Sequence, residues 1–166
     1  MTKEKFSIWL IPSDIDGGSI SKSIQSLSKK YLAPIFNPHC TIFSQITNLY
    51  KAQIIINQLE QKIFQVVVEK IDESDDIWKT VFLKLVNDPT LKKINALFND
   101  AFPQTYQFDP HISLIYKKLD AKKRKSILSK LDMKKSFAID KISIVCISGS
   151  VENWETVYSK TLKSIL

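Results

Sequence analysis

The connection between two neighbouring β-like segments limits the folds open to this chain. Residues 64–71 and 79–86 are rich in β-branched and apolar residues, a composition typical of strands. The link between them, residues 69–79, is too short for a crossover helix and therefore predicts a hairpin. It carries four acidic residues, Asp72, Glu73, Asp75 and Asp76. A sheet that contains this hairpin is at least partly antiparallel, which favours an α+β protein over a doubly wound parallel sheet.

The remaining pattern predicts strands and helices that alternate along one domain. Further strands are predicted at residues 5–11, 39–44, 111–116, 137–148 and 155–162. Helical spacing of apolar residues predicts helices at residues 19–31, 48–63, 88–102 and 120–131. Asn48 is expected to cap its helix, and Asp88 followed by Pro89 marks another helix start. Because the chain has three glycines and no linker-like stretch, residues 1–166 are expected to form a single domain.

The two histidines of the chain occupy matching local contexts. The segments are Asn37-Pro38-His39-Cys40-Thr41 and Asp109-Pro110-His111-Ile112-Ser113. In each, an Asx-Pro pair favours a turn that leads into a strand, and a hydroxyl residue follows the histidine by two positions. Strand side chains alternate between faces, so each histidine and its hydroxyl residue are expected on one face.

This repeated pattern suits the cleavage of a phosphodiester. The reaction needs a base to activate the nucleophile, an acid to protonate the leaving oxygen, and donors for the non-bridging oxygens. Two imidazoles can serve as base and acid near neutral pH. In each motif the hydroxyl residue lies about 6.5 to 7 Å along the strand from the histidine, so the two side chains can contact different oxygens of one phosphate. His39 and His111 are therefore the expected catalytic residues, and Thr41 and Ser113 are expected to bind the substrate. His111 is assigned as base and His39 as acid, although the similarity of the motifs leaves the reverse open.

Two other interpretations of the histidines remain. A single histidine on a strand is usually structural, but chance is a poor explanation for two matching contexts. A metal site would need ligands that the motifs lack, because hydroxyls bind zinc poorly and Cys40 is expected on the opposite face. We therefore expect no metal and no cofactor.

The motifs resemble those of the two-histidine phosphoesterase superfamily, whose signature is a pair of HxT or HxS motifs. The resemblance extends over nearly the whole chain and implies a bilobal, pseudo-two-fold α+β fold with mostly antiparallel sheets around a central cleft and helices outside. Within the superfamily the chain looks most like the cyclic phosphodiesterase branch. The similarity lies in the first strand, Ser7-Ile8-Trp9-Leu10-Ile11-Pro12, and in the second motif with its trailing tyrosine, His111-Ile112-Ser113-Leu114-Ile115-Tyr116.

The resemblance implies roles for two further residues and a class of substrate. Trp9 would stack on the nucleotide, and Tyr116 would line the phosphate pocket. Strand alternation puts Tyr116 on the face opposite His111 unless the strand twists or bulges after Ser113. The implied reaction is hydrolysis of a 2′,3′-cyclic nucleotide or of ADP-ribose 1″,2″-cyclic phosphate to a monoester. The alternatives are an RNA-end-processing phosphodiesterase or 2′,5′-RNA ligase-like enzyme with the same site, and a non-catalytic RNA-binding module.

Charge and cysteine content indicate the expected binding partners and cellular location of the protein. The chain has 24 basic and 17 acidic residues, a net charge of +7, and a basic run over residues 117–135 that makes RNA a possible partner. Cys40 and Cys146 lie in separate apolar segments, where a reduced thiol packs as a small apolar group. Residues 6–12 form an apolar stretch too short to span a membrane. We expect a cytoplasmic monomer without membrane association.

Overall fold

The structure is a computed structural model that describes residues 3–164, so residues 1–2 and 165–166 of the predicted domain lie outside the described residues. Its strands are β1 (Phe6–Pro12), β2 (Cys40–Ile46), β3 (Phe64–Glu73), β4 (Val81–Leu85), β5 (His111–Ile115), β6 (Ser136–Cys146) and β7 (Glu155–Thr161). Its helices are α1 (Asp14–Tyr31), α2 (Leu49–Gln58), α3 (Pro89–Ala101) and α4 (Ala121–Lys130). Short 3₁₀ turns lie at Ile77–Lys79 and Val151–Asn153. Every predicted strand and helix is confirmed, with differences at the ends.

Helix α1 begins at Asp14 instead of the predicted residue 19. The side chain of Ser13 accepts a hydrogen bond from the backbone N–H of Asp16 and so caps the helix. Gly17 and Gly18 fall inside the first turns of α1. At Gly17 a Cβ atom would lie 3.4 Å from the side chain of Pro12, an ordinary van der Waals contact, so the close packing of α1 on the end of β1 does not require glycine there.

Helix α2 ends at Gln58 instead of the predicted residue 63. The side-chain amine of Lys160, on β7, donates to the carbonyls of three residues at this end, Ile56, Asn57 and Leu59. The carbonyl of Ile56 also accepts the backbone N–H of Leu59. The last carbonyls of a helix lack their usual partners one turn further on, so this distant lysine supplies hydrogen bonds at the end of α2 that the local sequence does not specify. The predicted capping by Asn48 and the Asp88–Pro89 helix start are both confirmed.

All seven strands belong to one sheet, and every pairing between them is antiparallel. The order is β1-β2-β5-β4-β3-β6-β7, and β1 also pairs with β6, so the first six strands close into a ring. One lobe contains β2, β1, β7 and most of β6. The other contains β5, β4, β3 and the first residues of β6. The predicted α+β class with antiparallel pairing and two lobes is confirmed.

The helices connect the lobes across the sheet. Helix α1 packs against β5 and α3 packs against β2, so each covers a strand of the opposite lobe, while α2 lies on β6 and β7 and α4 on β3 and β4. The apolar core between them includes Phe43, Phe98 and Phe137, all fully buried. Asn95 on α3 is also buried and donates to the carbonyl of Ile42, 2.8 Å away, which links α3 to the strand of the first motif.

The two lobes meet where the histidine motifs lie. Strands β2 and β5 are joined through the pair Cys40 and Ile112, the residues that directly follow the two histidines. The thiol of Cys40 is fully buried, which raises its pKa to about 12, so it packs as the predicted small apolar group. Because β2 and β5 pair at these two residues, the two histidine motifs lie side by side at the edge of the cleft.

Candidate active site

The two histidines are held by the same local hydrogen bond. Nδ1 of His39 lies 2.6 Å from the carbonyl oxygen of Asn37, and Nδ1 of His111 lies 2.6 Å from the carbonyl oxygen of Asp109. A neutral imidazole that donates from Nδ1 has an unprotonated Nε2, which can accept a proton. The Asx-Pro-His sequence therefore fixes the tautomer in both motifs, because the carbonyl two residues before the histidine faces its ring.

Both imidazoles line one cavity of about 410 Å³ in the cleft. The lining residues are Ser7, Trp9, His39, Thr41, Ser44, Gln45, Trp78, Tyr106, His111, Tyr116, Ile147, Gly149 and Trp154. Of the six residues proposed from the sequence, His39, His111, Thr41, Trp9 and Tyr116 are in this lining. The cavity is large enough for a nucleotide-sized ligand.

His39 lies in an apolar and aromatic environment. Its ring is 5% exposed and stacks on the indole of Trp9, with centroids 3.5 Å apart and planes at 7°. Nε2 lies 3.3 Å from the phenol oxygen of Tyr116. Burial lowers the pKa of His39 to about 3, against the opposing effect of the hydrogen bond to Asn37. The imidazole of His39 is therefore neutral across the physiological pH range.

His111 has charged neighbours that His39 lacks. Asp109 forms an ion pair with Lys79, with 2.7 Å between Nζ and Oδ2, and the edge of Phe82 faces the imidazole. Burial lowers the pKa of His111, while the carbonyl and the carboxylate of Asp109 act in the opposite direction. The Asn37 to Asp109 difference between the motifs therefore gives His111 a nearby negative charge that stabilises its protonated form.

The two hydroxyl residues of the motifs occupy different positions. Thr41 lines the cavity beside His39, as alternation along β2 predicts. Ser113 is buried, at 3% exposure, and its hydroxyl donates to the carbonyl oxygen of Trp78 at 2.5 Å. Of the two hydroxyl residues in the motifs, Thr41 lines the cavity and Ser113 does not.

Tyr116 reaches the cavity because β5 is irregular. The pairing with β4 shifts between Phe82 opposite Ser113 and Val81 opposite Ile115, so one extra residue of β5 lies between these pairs. Such a bulge reverses the alternation of faces beyond it. Tyr116 consequently lies on the same side as His111, the case that the sequence left open.

Strand β2 is irregular as well, and its bulges contribute cavity residues that the sequence did not indicate. Its register with β1 shifts twice, and Gln45 adopts a positive φ of 63°. Phe43, which alternation would place with His39 and Thr41, turns into the core, whereas Ser44 and Gln45 line the cavity. No residue in this segment is a glycine that would have indicated the bulge.

An aromatic wall formed by Trp78 and Trp154 was also missed. Their rings stack at 25° with centroids 5.7 Å apart, and both contact Tyr116 edge-on. Both residues lie in short connections just before a strand, β4 or β7. Functional residues are frequent in such connections at the ends of sheets, which is the signal that could have identified them.

The described residues contain neither a metal-binding cluster of side chains nor a membrane-spanning helix. Among residues 3–164, no group of three or more His, Cys, Asp and Glu side chains is arranged to hold a metal ion. Within the same range, no helix combines the length and the apolar character needed to cross a membrane.

Comparison with known proteins agrees with the geometry of the cleft. The family model described as cyclic phosphodiesterase-like protein matches residues 5–162. A cyclic phosphodiesterase of Arabidopsis thaliana is 23% identical over 172 residues, covering 93% of this chain and 93% of that protein.

Solved structures share the fold at low sequence identity. Escherichia coli LigT complexed with 3′-AMP has a TM-score of 0.63 and 14% identity, covering 96% of this chain and 98% of LigT. Kluyveromyces marxianus Usb1 has a TM-score of 0.54 and 13% identity, covering 94% of this chain and 98% of Usb1. At these identities the likeness concerns the fold.

Proposed function

Because the chain belongs to the cyclic phosphodiesterase-like family of two-histidine phosphoesterases, we propose that it hydrolyses a cyclic ribose phosphate to a monoester without a metal ion. The observation that carries this proposal is the matched pair of imidazoles. In each histidine Nδ1 is hydrogen-bonded to a backbone carbonyl oxygen, and both imidazoles line the same cavity. A pair of imidazoles that carries one extra proton supplies a neutral base and a charged acid to one phosphate.

In the proposed reaction one imidazole removes a proton from water as the oxygen attacks phosphorus. The bond from phosphorus to a ribose oxygen breaks, and the second imidazole gives its proton to that oxygen. The ring opens to a monoester. The first imidazole now carries the proton taken from water, and the second imidazole is neutral. The catalytic gain expected from each positioned group is about 10²- to 10⁴-fold.

The surroundings of the histidines favour the reverse of the sequence-based assignment. His39 is buried on Trp9, and this burial lowers its pKa and so favours the neutral form that a base needs. His111 has the carboxylate of Asp109 close by, which stabilises the imidazolium that an acid must carry. We therefore assign His39 as the base and His111 as the acid.

Thr41 is the hydroxyl best placed to bind the phosphate. It lies in the cavity lining, and a hydroxyl donor to a charged oxygen contributes about 1.5 to 3 kcal/mol. Ser113 remains a predicted second donor, because binding phosphate would require its hydroxyl to leave the carbonyl of Trp78.

A small cyclic nucleotide, or ADP-ribose 1″,2″-cyclic phosphate, fits the cavity better than long RNA. Proteins that bind RNA by its backbone place Lys and Arg along the path of the phosphates. Of the described residues that line the cavity, none is Lys or Arg, and the walls are mostly aromatic rings and hydroxyls. The Arabidopsis relative is named a cyclic phosphodiesterase, which supports the same substrate class.

The test is turnover of a substrate panel by protein treated with EDTA. The panel holds the four 2′,3′-cyclic nucleotides, ADP-ribose 1″,2″-cyclic phosphate, 2′,5′-linked dinucleotides and a long RNA with a cyclic phosphate end. Release of a monoester from the small cyclic compounds is the expected result. Preference for the RNA or the 2′,5′ linkage would support RNA processing instead. Activity that EDTA removes and added zinc, manganese or magnesium restores would overturn the metal-independent reaction.

A further inference from the structure

Gln45 combines a strained backbone with a place in the lining of the catalytic cavity. Its φ of 63° lies in the left-handed region, where the Cβ atom of an L-residue crowds the following carbonyl oxygen. Gly149 in the same lining has a φ of 83°, and without a Cβ atom it adopts this angle freely. Backbone strain of this kind is often retained where it serves a functional site.

The second strained residue of the described chain has a simple explanation that Gln45 lacks. Among residues 3–164, Leu32 is the other non-glycine residue with a positive φ, and it ends α1, where left-handed residues are common. Gln45 lies in β2 at a bulge between the pairs Phe43–Ile8 and Ile46–Phe6. The left-handed residue of a bulge is usually glycine, so this position keeps a side chain where glycine would relieve the strain.

The bulge is held by a side chain from another segment. Nε2 of Gln104 donates to the carbonyl oxygens of Gln45 and Ser44, at 3.2 and 3.5 Å. Gln104 lies in the connection between α3 and β5, which leads to the second histidine motif. Both acceptors are main-chain atoms, so glycine at position 45 would keep the two hydrogen bonds. The bulge therefore does not depend on the side chain of Gln45.

The amide of Gln45 is available to a ligand. The residue is exposed, and within residues 3–164 its side chain makes no hydrogen bond. Of the described residues that line the cavity, it is the only one with a side-chain amide. An amide offers both donors and an acceptor, which matches an uncharged group that offers both, whereas a phosphate oxygen would use only the donors.

We infer that Gln45 is a specificity-determining residue whose amide hydrogen-bonds an uncharged polar group of the substrate outside the cyclic phosphate. The inference rests on the proposed function and deepens it. The edge of a base or the free 5′-hydroxyl of the ribose would supply the matching donor and acceptor. Gln104 is the positioning residue that holds the bulge on which Gln45 lies.

Gln45→Leu removes the hydrogen bonds and keeps a side chain of similar size. It should lower kcat/KM for 2′,3′-cyclic nucleotides by about three- to tenfold, as expected for one neutral hydrogen bond. If the partner is a base edge, the loss differs among the four nucleotides and is absent with 1-O-methylribose 2,3-cyclic phosphate. If it is the ribose hydroxyl, the loss is equal with all of these substrates and disappears with 5′-deoxy nucleotides. Unchanged kcat/KM with every substrate would overturn the inference.

Gln45→Gly tests the strain through stability. Glycine relieves the positive φ, so Tm should rise by about 1 to 4 °C while kcat/KM falls as in Gln45→Leu. Leu32→Gly is the matched control, because Leu32 is 84% exposed and lies outside the cavity lining, so Tm should rise with kcat/KM unchanged. A lower Tm in Gln45→Gly would show that the side chain serves the fold, which would overturn the inference.

Gln104→Ala tests the positioning role. The variant should show the same pattern of loss across the substrates as Gln45→Leu, and it should add no further loss in the Gln45→Leu background, because it acts through that amide. Losses that add in the double variant would contradict positioning through Gln45.

Equilibrium binding of 3′-AMP separates this inference from the proposed function. Gln45→Leu should weaken binding of 3′-AMP by the same factor as its loss in kcat/KM. Absence of turnover of every small cyclic phosphate, with 3′-AMP binding that depends on Gln45, would overturn the proposed function and leave the inference standing. Normal turnover, with neither binding nor kcat/KM dependent on Gln45, would overturn the inference alone.

Discussion

The first and second histidine motifs share one local geometry and differ in what surrounds it. In both, the imidazole donates to the carbonyl of the Asx two residues earlier, so the backbone prepares the two rings identically. Around His39 the protein places aromatic rings, whereas around His111 it places the pair of Asp109 and Lys79. Repetition thus provides two equivalent groups in different tertiary environments, and this difference is the basis for the proposed division into base and acid.

The hydroxyl residues differ in the same way. Thr41 lines the cavity, whereas the hydroxyl of Ser113 donates to the carbonyl of Trp78. Through Tyr116, whose phenol lies 3.3 Å from Nε2 of His39, the second motif also contacts the imidazole of the first. Similar sequences therefore do not imply equivalent roles once the two strands are packed together.

The largest expected effect comes from removing either imidazole. His39→Ala and His111→Ala should each lower kcat by at least about a hundredfold, because each removes one positioned proton-transfer group. The double variant should be little slower than either single one, since the two groups act as a unit. Rapid-mixing or discontinuous assays of 2′,3′-cyclic nucleotide hydrolysis measure this. Near-normal turnover in either single variant would contradict the proposed mechanism.

The residual activity of these variants distinguishes the two roles. With His39 as base and His111 as acid, His111→Ala should lose the alkaline fall of the kcat/KM profile, and His39→Ala should keep it. The opposite pattern would restore the sequence-based assignment, in which His111 is the base.

The second effect in size is expected at Thr41. Thr41→Val removes a donor to a charged phosphate oxygen, so it should cost about 1.5 to 3 kcal/mol in transition-state stabilisation, with KM raised and kcat lowered. Steady-state kinetics with a 2′,3′-cyclic nucleotide measure the loss, and circular dichroism checks that the valine variant folds. Unchanged kinetics would mean that the Thr41 hydroxyl has only a structural role in β2.

A smaller effect is expected from Tyr116→Phe. A neutral hydrogen bond contributes about 0.5 to 1.5 kcal/mol, so loss of the phenol should change kcat/KM by less than about tenfold. Because the phenol contacts His39, the change should disappear in the His39→Ala background and persist in the His111→Ala background. A double-mutant cycle on residual activities measures this coupling. Equal effects in the two backgrounds would mean that Tyr116 acts on the substrate directly.

The smallest effect is a displacement of the pH profile. The acid must be protonated, so kcat/KM is lost as pH rises through the pKa of His111, which burial places below its usual 6.5. Asp109→Asn makes the second motif resemble the first and removes a charge that favours the imidazolium, so the alkaline limb should move to lower pH. Lys79→Met removes the opposing positive charge and should move it to higher pH.

Asn37→Asp is the matched change at the first motif. If His39 is the base, a new carboxylate there should leave the alkaline limb in place. Profiles of kcat/KM from pH 4 to 9 record these shifts. A wild-type profile that rises steadily through neutral pH would contradict the requirement for a histidine acid altogether.

Much of the fold could be predicted from sequence periodicity. The segments that became β5 and β7 end within one residue of their predicted limits, because alternation, proline and capping residues act over a few positions. The end of α2 could not be predicted in this way, since the amine that fixes it comes from Lys160, more than a hundred positions away. Local signals locate an element better than they locate an end that a distant side chain decides.

The sequence by itself determined the pair of histidines, their hydrogen-bonded tautomer and the strands that carry them, because each depends on neighbours within two or three residues. Only the tertiary structure decided the bulges that bring Tyr116 and Gln45 into the cavity and the wall formed by Trp78 and Trp154. It also decided the different environments of the two imidazoles. These features depend on register and burial, which arise from contacts between segments far apart in the chain, and a local pattern does not specify such contacts.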